Sequence, residues 1–205
     1  EGLIGDSVTT EAIETAPLAT LAIDGVGLLP SRVTGLPTDF WGPTSARELV
    51  TLIGDLRLDL PRPSRELLFQ ILLAELNPPV DAGPDHALFL ARIDALLRFG
   101  ALEQAQALLE RAGPTNASLF RRWFDVSLLS GNEDRACAVM RAAPDVAPTF
   151  SARVFCLARG NDWSAAALSL DTARALGVLS EADDLLLARF LDPELFEGQP
   201  MAPLP

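Results

Sequence analysis

The chain has 205 residues, 49% of them hydrophobic and 21% charged. With a mass of 21.9 kDa and a mean hydropathy of +0.24, it is one domain or one domain plus arms, and disorder throughout is excluded. No apolar run reaches the roughly 18 residues that a membrane span needs. Net charge is −12, concentrated at the ends: residues 1–31 carry five acids and no arginine, and residues 175–205 carry six acids and Arg189. The middle, 32–174, holds 17 acids against 15 arginines. A nucleic-acid binder needs a positive stripe to displace counterions from phosphates, and none exists here. The pair Arg121-Arg122 and the group Arg57, Arg62, Arg65 read as solvated helix faces. There is no lysine, which is a matter of composition and not of mechanism.

Residues 1–43 differ from the rest. The stretch Leu28 to Pro37 contains two prolines and a glycine, which argue against a helix. Ala19 to Ile23 reads as a short strand or extended arm. Phe40 and Trp41 follow, an aromatic pair of the kind that pins an arm onto a folded body. The expectation is an extended N-terminal arm over 1–43, docked through these two rings, with Trp41 exposed until something covers it.

From Thr44 onward the chain reads as helix after helix. Ser45-Ala46-Arg47-Glu48 is a capping box and predicts a helix through Arg57, with Leu49, Leu52, Ile53 and Leu56 on one face. After Pro61 and Pro63, a second helix is predicted from Ser64 to Leu76, stopped by Asn77-Pro78-Pro79. Gly83-Pro84-Asp85 starts a third.

A period follows. Gly100, Gly131 and Gly160 are spaced by 31 and 29 residues, and each is followed five residues later by an alanine, Ala105, Ala136 and Ala165. Leu108, Val139 and Leu168 come three residues after those alanines. Glycine closes one helix in the left-handed conformation, Asn or Asp caps the next, and alanine lets the two approach closely. Repetition at this length is the signature of a helical solenoid. The stretch Gly160-Asn161-Asp162-Trp163-Ser164-Ala165-Ala166 resembles the turn and second-helix start of a tetratricopeptide (TPR) repeat, with Gly100–Ala105 and Gly131–Ala136 as weaker copies. The resemblance covers 85–177. It departs from the family in having Ile93, Phe124 and Arg153 where a small residue is favoured, and in repeats shorter than about 34 residues.

The expected fold is therefore all-α: a right-handed, TPR-like solenoid of helical hairpins over 44–192, with repeats at about 85–113, 116–144 and 148–177. A capping helix over 180–191, opened by Ser180, covers the open end of the last repeat. Residues 193–205 form a proline-rich tail or linker.

Candidate chemistry is sparse. His86 is the single histidine and sits at a helix start, far in sequence from either cysteine. Two cysteines and one histidine at spacings of 19 and 51 fit no zinc pattern. The glycines fit no dinucleotide or phosphate-loop template. Asp183-Asp184 complement a helix N-terminus, and Asn116-Ala117-Ser118 matches a glycosylation triplet that also arises by chance. No cofactor and no metal are expected.

Phe120, Trp123 and Phe124 stand at i, i+3, i+4, the spacing of an inter-helix core stripe; Trp163 at its turn reads as packing. The resemblance, in contrast, implies protein binding on a concave face lined by first helices. Phe89, Arg92, Phe120, Arg121 and Trp123 are its candidate partner-binding residues, joined by Trp41 on the arm.

Cys137 and Cys156 are predicted to pair. Their midpoint falls in the turn Ala143 to Pro148, so they stand at equal height on facing antiparallel helices, where Cα atoms come within bridging distance. Two reduced, buried thiols are the alternative. A start at Glu1 without methionine reads as a processed exported protein or a fragment. Together these lead to a periplasmic protein without catalysis: a scaffold or assembly subunit of the bacterial envelope, binding protein partners and no nucleic acid. The competing expectation is a helical accessory domain of a larger cell-wall lytic enzyme.

Overall fold

The structure, a computed structural model, describes residues 22–114 and 116–200. Its described residues form ten α-helices and no strand: α1 Ser31–Thr34, α2 Ala46–Gly54, α3 Arg62–Leu73, α4 Ala87–Arg98, α5 Leu102–Ala112, α6 Ala117–Leu129, α7 Glu133–Ala142, α8 Phe150–Arg159, α9 Trp163–Leu176 and α10 Glu181–Leu191. From α4 onward each helix packs against the next in sequence; α4 also touches α6, and α10 touches α8 as well as α9.

Local chemistry sets the helix ends. Ser45 Oγ accepts the Glu48 amide at 3.2 Å and opens α2. That helix stops three residues before the predicted Arg57, because Arg98 from α4 donates to the carbonyls of Ile53 and Gly54 at 2.6 and 2.8 Å. A cation at a helix C-terminus satisfies free carbonyls and complements the dipole. Of the four predicted apolar positions, Leu49 and Ile53 are buried while Leu52 faces solvent, since only the side toward α4 is covered. Ser180 opens α10 by accepting the Asp183 amide at 3.1 Å.

The arm departs from the expected extended form. Residues 22–43 carry a 3-10 turn at Ile23–Gly25 and the one-turn helix α1, closed by Gly35 at φ 71°. Between them the chain runs beside the end of α3: Leu28 N–H donates to Leu73 O and Glu75 N–H to Leu29 O, both at 2.8 Å. A Cβ at Gly27 would overlap the Ala74–Glu75 peptide, so only glycine permits this approach. Predicted features of residues 1–21 and 201–205 lie outside the described residues.

The helix-closing conformation expected at the periodic glycines occurs at the first two and is displaced by one residue at the third. Gly100 and Gly131 take the left-handed conformation after α4 and α6, at φ 72° and 69°. After α8 that position falls to Asn161, at φ 64°, while Gly160 stays right-handed. The equivalent second-helix residues are then Ala105, Ala136 and Ala166, all buried, followed four residues later by buried Leu109, Met140 and Leu170. Ala165 and Leu168 belong to other faces, and Leu168 is exposed. The same shift places buried Val154 beside Ile93 and Phe124 in the first helices, in place of Arg153.

Two buried clusters result. The larger runs from Val26 through α4–α7 to Cys156. The smaller is built from Val154, Ala158, Ala166, Leu170 and Leu187 at the C-terminal end.

Candidate partner-binding surface

Four of the five residues predicted to line a repeat groove are core. Phe89, Arg92 and Phe120 have no exposed surface and Trp123 has 2%. The aromatic stripe packs inward: the Phe120 and Trp123 rings meet edge-on at 5.7 Å, and Phe120 stacks with Phe124 at 6.3 Å. A side chain without surface cannot anchor a partner on the folded chain, so these residues hold helices together instead. Only Arg121 is exposed among the five. Trp41 is also buried, at 8%; its neighbour Phe40, 5.3 Å away and edge-on, is the more open ring at 38%.

Arg92 has a structural task. Its Nε donates to Leu72 O at 2.8 Å, Nη1 to Asp24 O at 3.2 Å and Val26 O at 2.8 Å, and Nη2 to Ala74 O at 2.9 Å. One guanidinium thus joins the arm to the end of α3 and to α4. Burial lowers its pKa to about 10, partly opposed by Asp24, so it stays charged at neutral pH. The Asp24 carboxylate performs a second task. His86, at φ 55°, occupies the N-cap of α4 without a side-chain cap, and Asp24, 65 residues before Phe89, accepts the Phe89 amide at 2.7 Å. The sequence missed this cap because its acceptor is remote.

Burial pushes the Asp24 carboxyl above its ordinary 3.8, against the Phe89 hydrogen bond. The native state therefore holds this proton more tightly than the unfolded chain does. Its stabilising effect is complete below the unfolded pKa and is lost as pH rises through the folded one. Thermal melts from pH 7 down to about 4 should show wild type gaining stability relative to Asp24→Asn. A relative loss on acidification would mean that the ionised carboxylate is the stabilised form.

Exposed aromatic and leucine side chains cluster near the C-terminal end of the described residues, where sequence reasoning assigned packing. Trp163 is 48% exposed, Phe190 38% and Leu186, one turn before Phe190, 48%. The Trp163 and Phe190 rings are 6.3 Å apart, and Phe155 lies 5.8 Å from Phe190, forming one aromatic ridge across α8, α9 and α10. Trp163 is held by its own turn: its Nε1–H donates to Asn161 Oδ1 at 3.1 Å, and Asp162 caps α9 through the Ala165 amide. Helix α10 explains the exposure. Leu185, Leu186, Leu187 and Phe190 put apolar groups on more than one side, yet Leu187 alone is fully covered. A signal existed in the sequence: three consecutive leucines on a helix point in different directions, so packing on one side leaves at least one uncovered.

Other faces carry ion pairs. Arg122 meets Asp94 through two hydrogen bonds of 2.6 and 2.7 Å, and Arg135 meets Glu110 at 2.9 Å while lying 5.9 Å over the Trp123 ring. Among the described residues, no three His, Cys, Asp or Glu side chains converge as a metal site, and no helix is long and apolar enough to cross a membrane. Cys137 and Cys156 stand at disulfide distance, Cα–Cα 4.8 Å, between α7 and α8. No family model matches the chain, and no curated protein or solved structure is significantly similar to it.

Proposed function

We propose that this protein is a non-enzymatic, protein-binding scaffold or assembly subunit of the bacterial envelope, built as a right-handed, TPR-like helical solenoid. The carrying observation is the aromatic ridge of Trp163, Phe190 and Leu186 on the last helices. Contiguous exposed aromatic and leucine surface marks interaction sites, and tryptophan is the residue type most enriched at binding hot spots. On this reading the binding surface is carried by α9 and α10, and not by a groove lined by Phe89, Phe120 and Trp123. Consecutive helix pairs with a buried alanine in each second helix support the solenoid reading. A cysteine pair at bridging distance supports an oxidising compartment, for a bacterium the periplasm.

Trp163 makes the test direct, because Trp41 and Trp123 are buried and shielded from solvent quenchers. Envelope proteins retained by the immobilised protein should be lost with Trp163→Ser/Phe190→Ser, whose melting temperature stays near wild type, and bound partner should protect Trp163 from acrylamide quenching. Unchanged retention by the double variant defeats the assignment. Association of the purified chain with itself, seen by sedimentation, would make the partner a second copy.

A further inference from the structure

A cleft lies between the end of α7 and α8. Met140, Arg141, Pro144, Arg153, Cys156 and Leu157 line its 210 Å³. Two guanidiniums share it, and among the described residues neither meets a carboxylate, whereas seven other arginines of this acidic chain do. Each is fixed by one backbone carbonyl instead: Arg141 Nη1 donates to Cys156 O at 3.1 Å and Arg153 Nη2 to Pro144 O at 3.0 Å.

Both side chains are seated as well as tethered. Arg141 lies across Gly160, where an added Cβ would stand 3.0 Å from Arg141 Cδ, Nε and Cζ. Arg153 lies over the Phe150 ring at 5.6 Å. The Cys137–Cys156 pair joins the two helices that carry them. On each guanidinium, Nε and the second amino group have no partner among the described residues.

We infer that the Arg141–Arg153 cleft binds the carboxylate side chain of an acidic peptide segment. Guanidinium forks match carboxylate oxygens in charge and planar geometry, and such charge-assisted bonds are about twice as strong as neutral ones. The apolar walls from Met140, Pro144 and Leu157 accommodate the methylenes that carry the carboxylate, which favours a side chain over a bare inorganic anion. Charge complementarity selects the occupant: two guanidiniums in one cleft, each held only by a backbone carbonyl among the described residues, match the carboxylates of an acidic segment.

Titration calorimetry of the full chain at low ionic strength tests this with an acetylated, amidated hexaglutamate peptide, and with hexaglutamine as its neutral counterpart. Saturable binding of the acidic peptide alone is expected, weakened at least tenfold by Arg141→Gln and by Arg153→Gln. Arg121→Gln, an exposed arginine outside the cleft, should leave it unchanged. Both cleft arginines reach solvent, so circular dichroism should show folded variants. No saturable binding, wild-type affinity in either cleft variant, or equal weakening by Arg121→Gln overturns the site. Complete displacement by millimolar acetate or phosphate overturns the peptide assignment and makes it a small-anion site.

Discussion

Replacement of Arg92 by methionine is expected to destabilise the protein by about 3–5 kcal/mol, the cost of leaving buried backbone carbonyls without their charged donor. Methionine approximates the arginine stem and fills most of the space, so the loss comes from hydrogen bonding and not from a cavity. The carbonyls of Asp24, Val26, Leu72 and Ala74 all lose their shared donor. Each buried carbonyl left unpaired costs roughly 1–3 kcal/mol, less whatever water recovers. At about 2–4 °C per kcal/mol for a chain of this size, melting should fall by roughly 10 °C. Arg92→Lys should fall between the two, because an ammonium has three donors and no planar fork to reach carbonyls on two segments. Urea unfolding measures both variants. The arm should come loose first: proteolysis near Val26 should accelerate in Arg92→Met before global unfolding does. A midpoint within error of wild type would show that the guanidinium is dispensable and that the arm is held by its apolar contacts.

The contrast between Arg92 and Arg121 shows what was legible in the sequence. Helix starts were readable at Ser45 and Ser180, because a capping hydroxyl acts on an amide three residues away. The helical period was readable for the same reason: a left-handed closing residue, a cap and a buried alanine are local. Its third copy misled because Gly160 looks like the closing residue, whereas it serves as the bed for Arg141 and Asn161 closes the helix. Local rules place a side chain on a helix face but do not say what that face meets. Phe120 and Trp123 sat on the correct stripe, and that stripe met other helices. Arg92, a partner-binding candidate from the resemblance, is core instead, and its partners lie 18 to 68 residues away, on segments that no periodicity links to it. Trp163 differs in the opposite direction: its turn position suggests packing, yet it is 48% exposed among the described residues.

The Cys137–Cys156 pair carries the remaining large prediction. Both residues are almost fully buried, and they sit where the main core gives way to the smaller C-terminal cluster: Cys156 belongs to the former and Val154, two residues earlier, to the latter. A bridge across 19 residues of sequence restricts the unfolded chain and should contribute about 3 kcal/mol in the chain-entropy model. Reduction should therefore lower the melting temperature by roughly 6–12 °C. The thiols formed remain small apolar groups in the same core, so the folded shape should survive under mild conditions. The loss should not be uniform. Without the bridge, α8–α10 hold to the rest mainly through α7–α8 packing, and amide exchange should rise there more than in α4–α6. The aromatic ridge rides on those same helices, so partner retention should weaken on reduction even though no ridge residue has changed. Alkylation in denaturant, before and after reductant, provides the covalent measurement: no modified cysteine in the unreduced protein, two after reduction. Two modified cysteines without reductant would remove the bridge, the stability difference and the support for an oxidising compartment together.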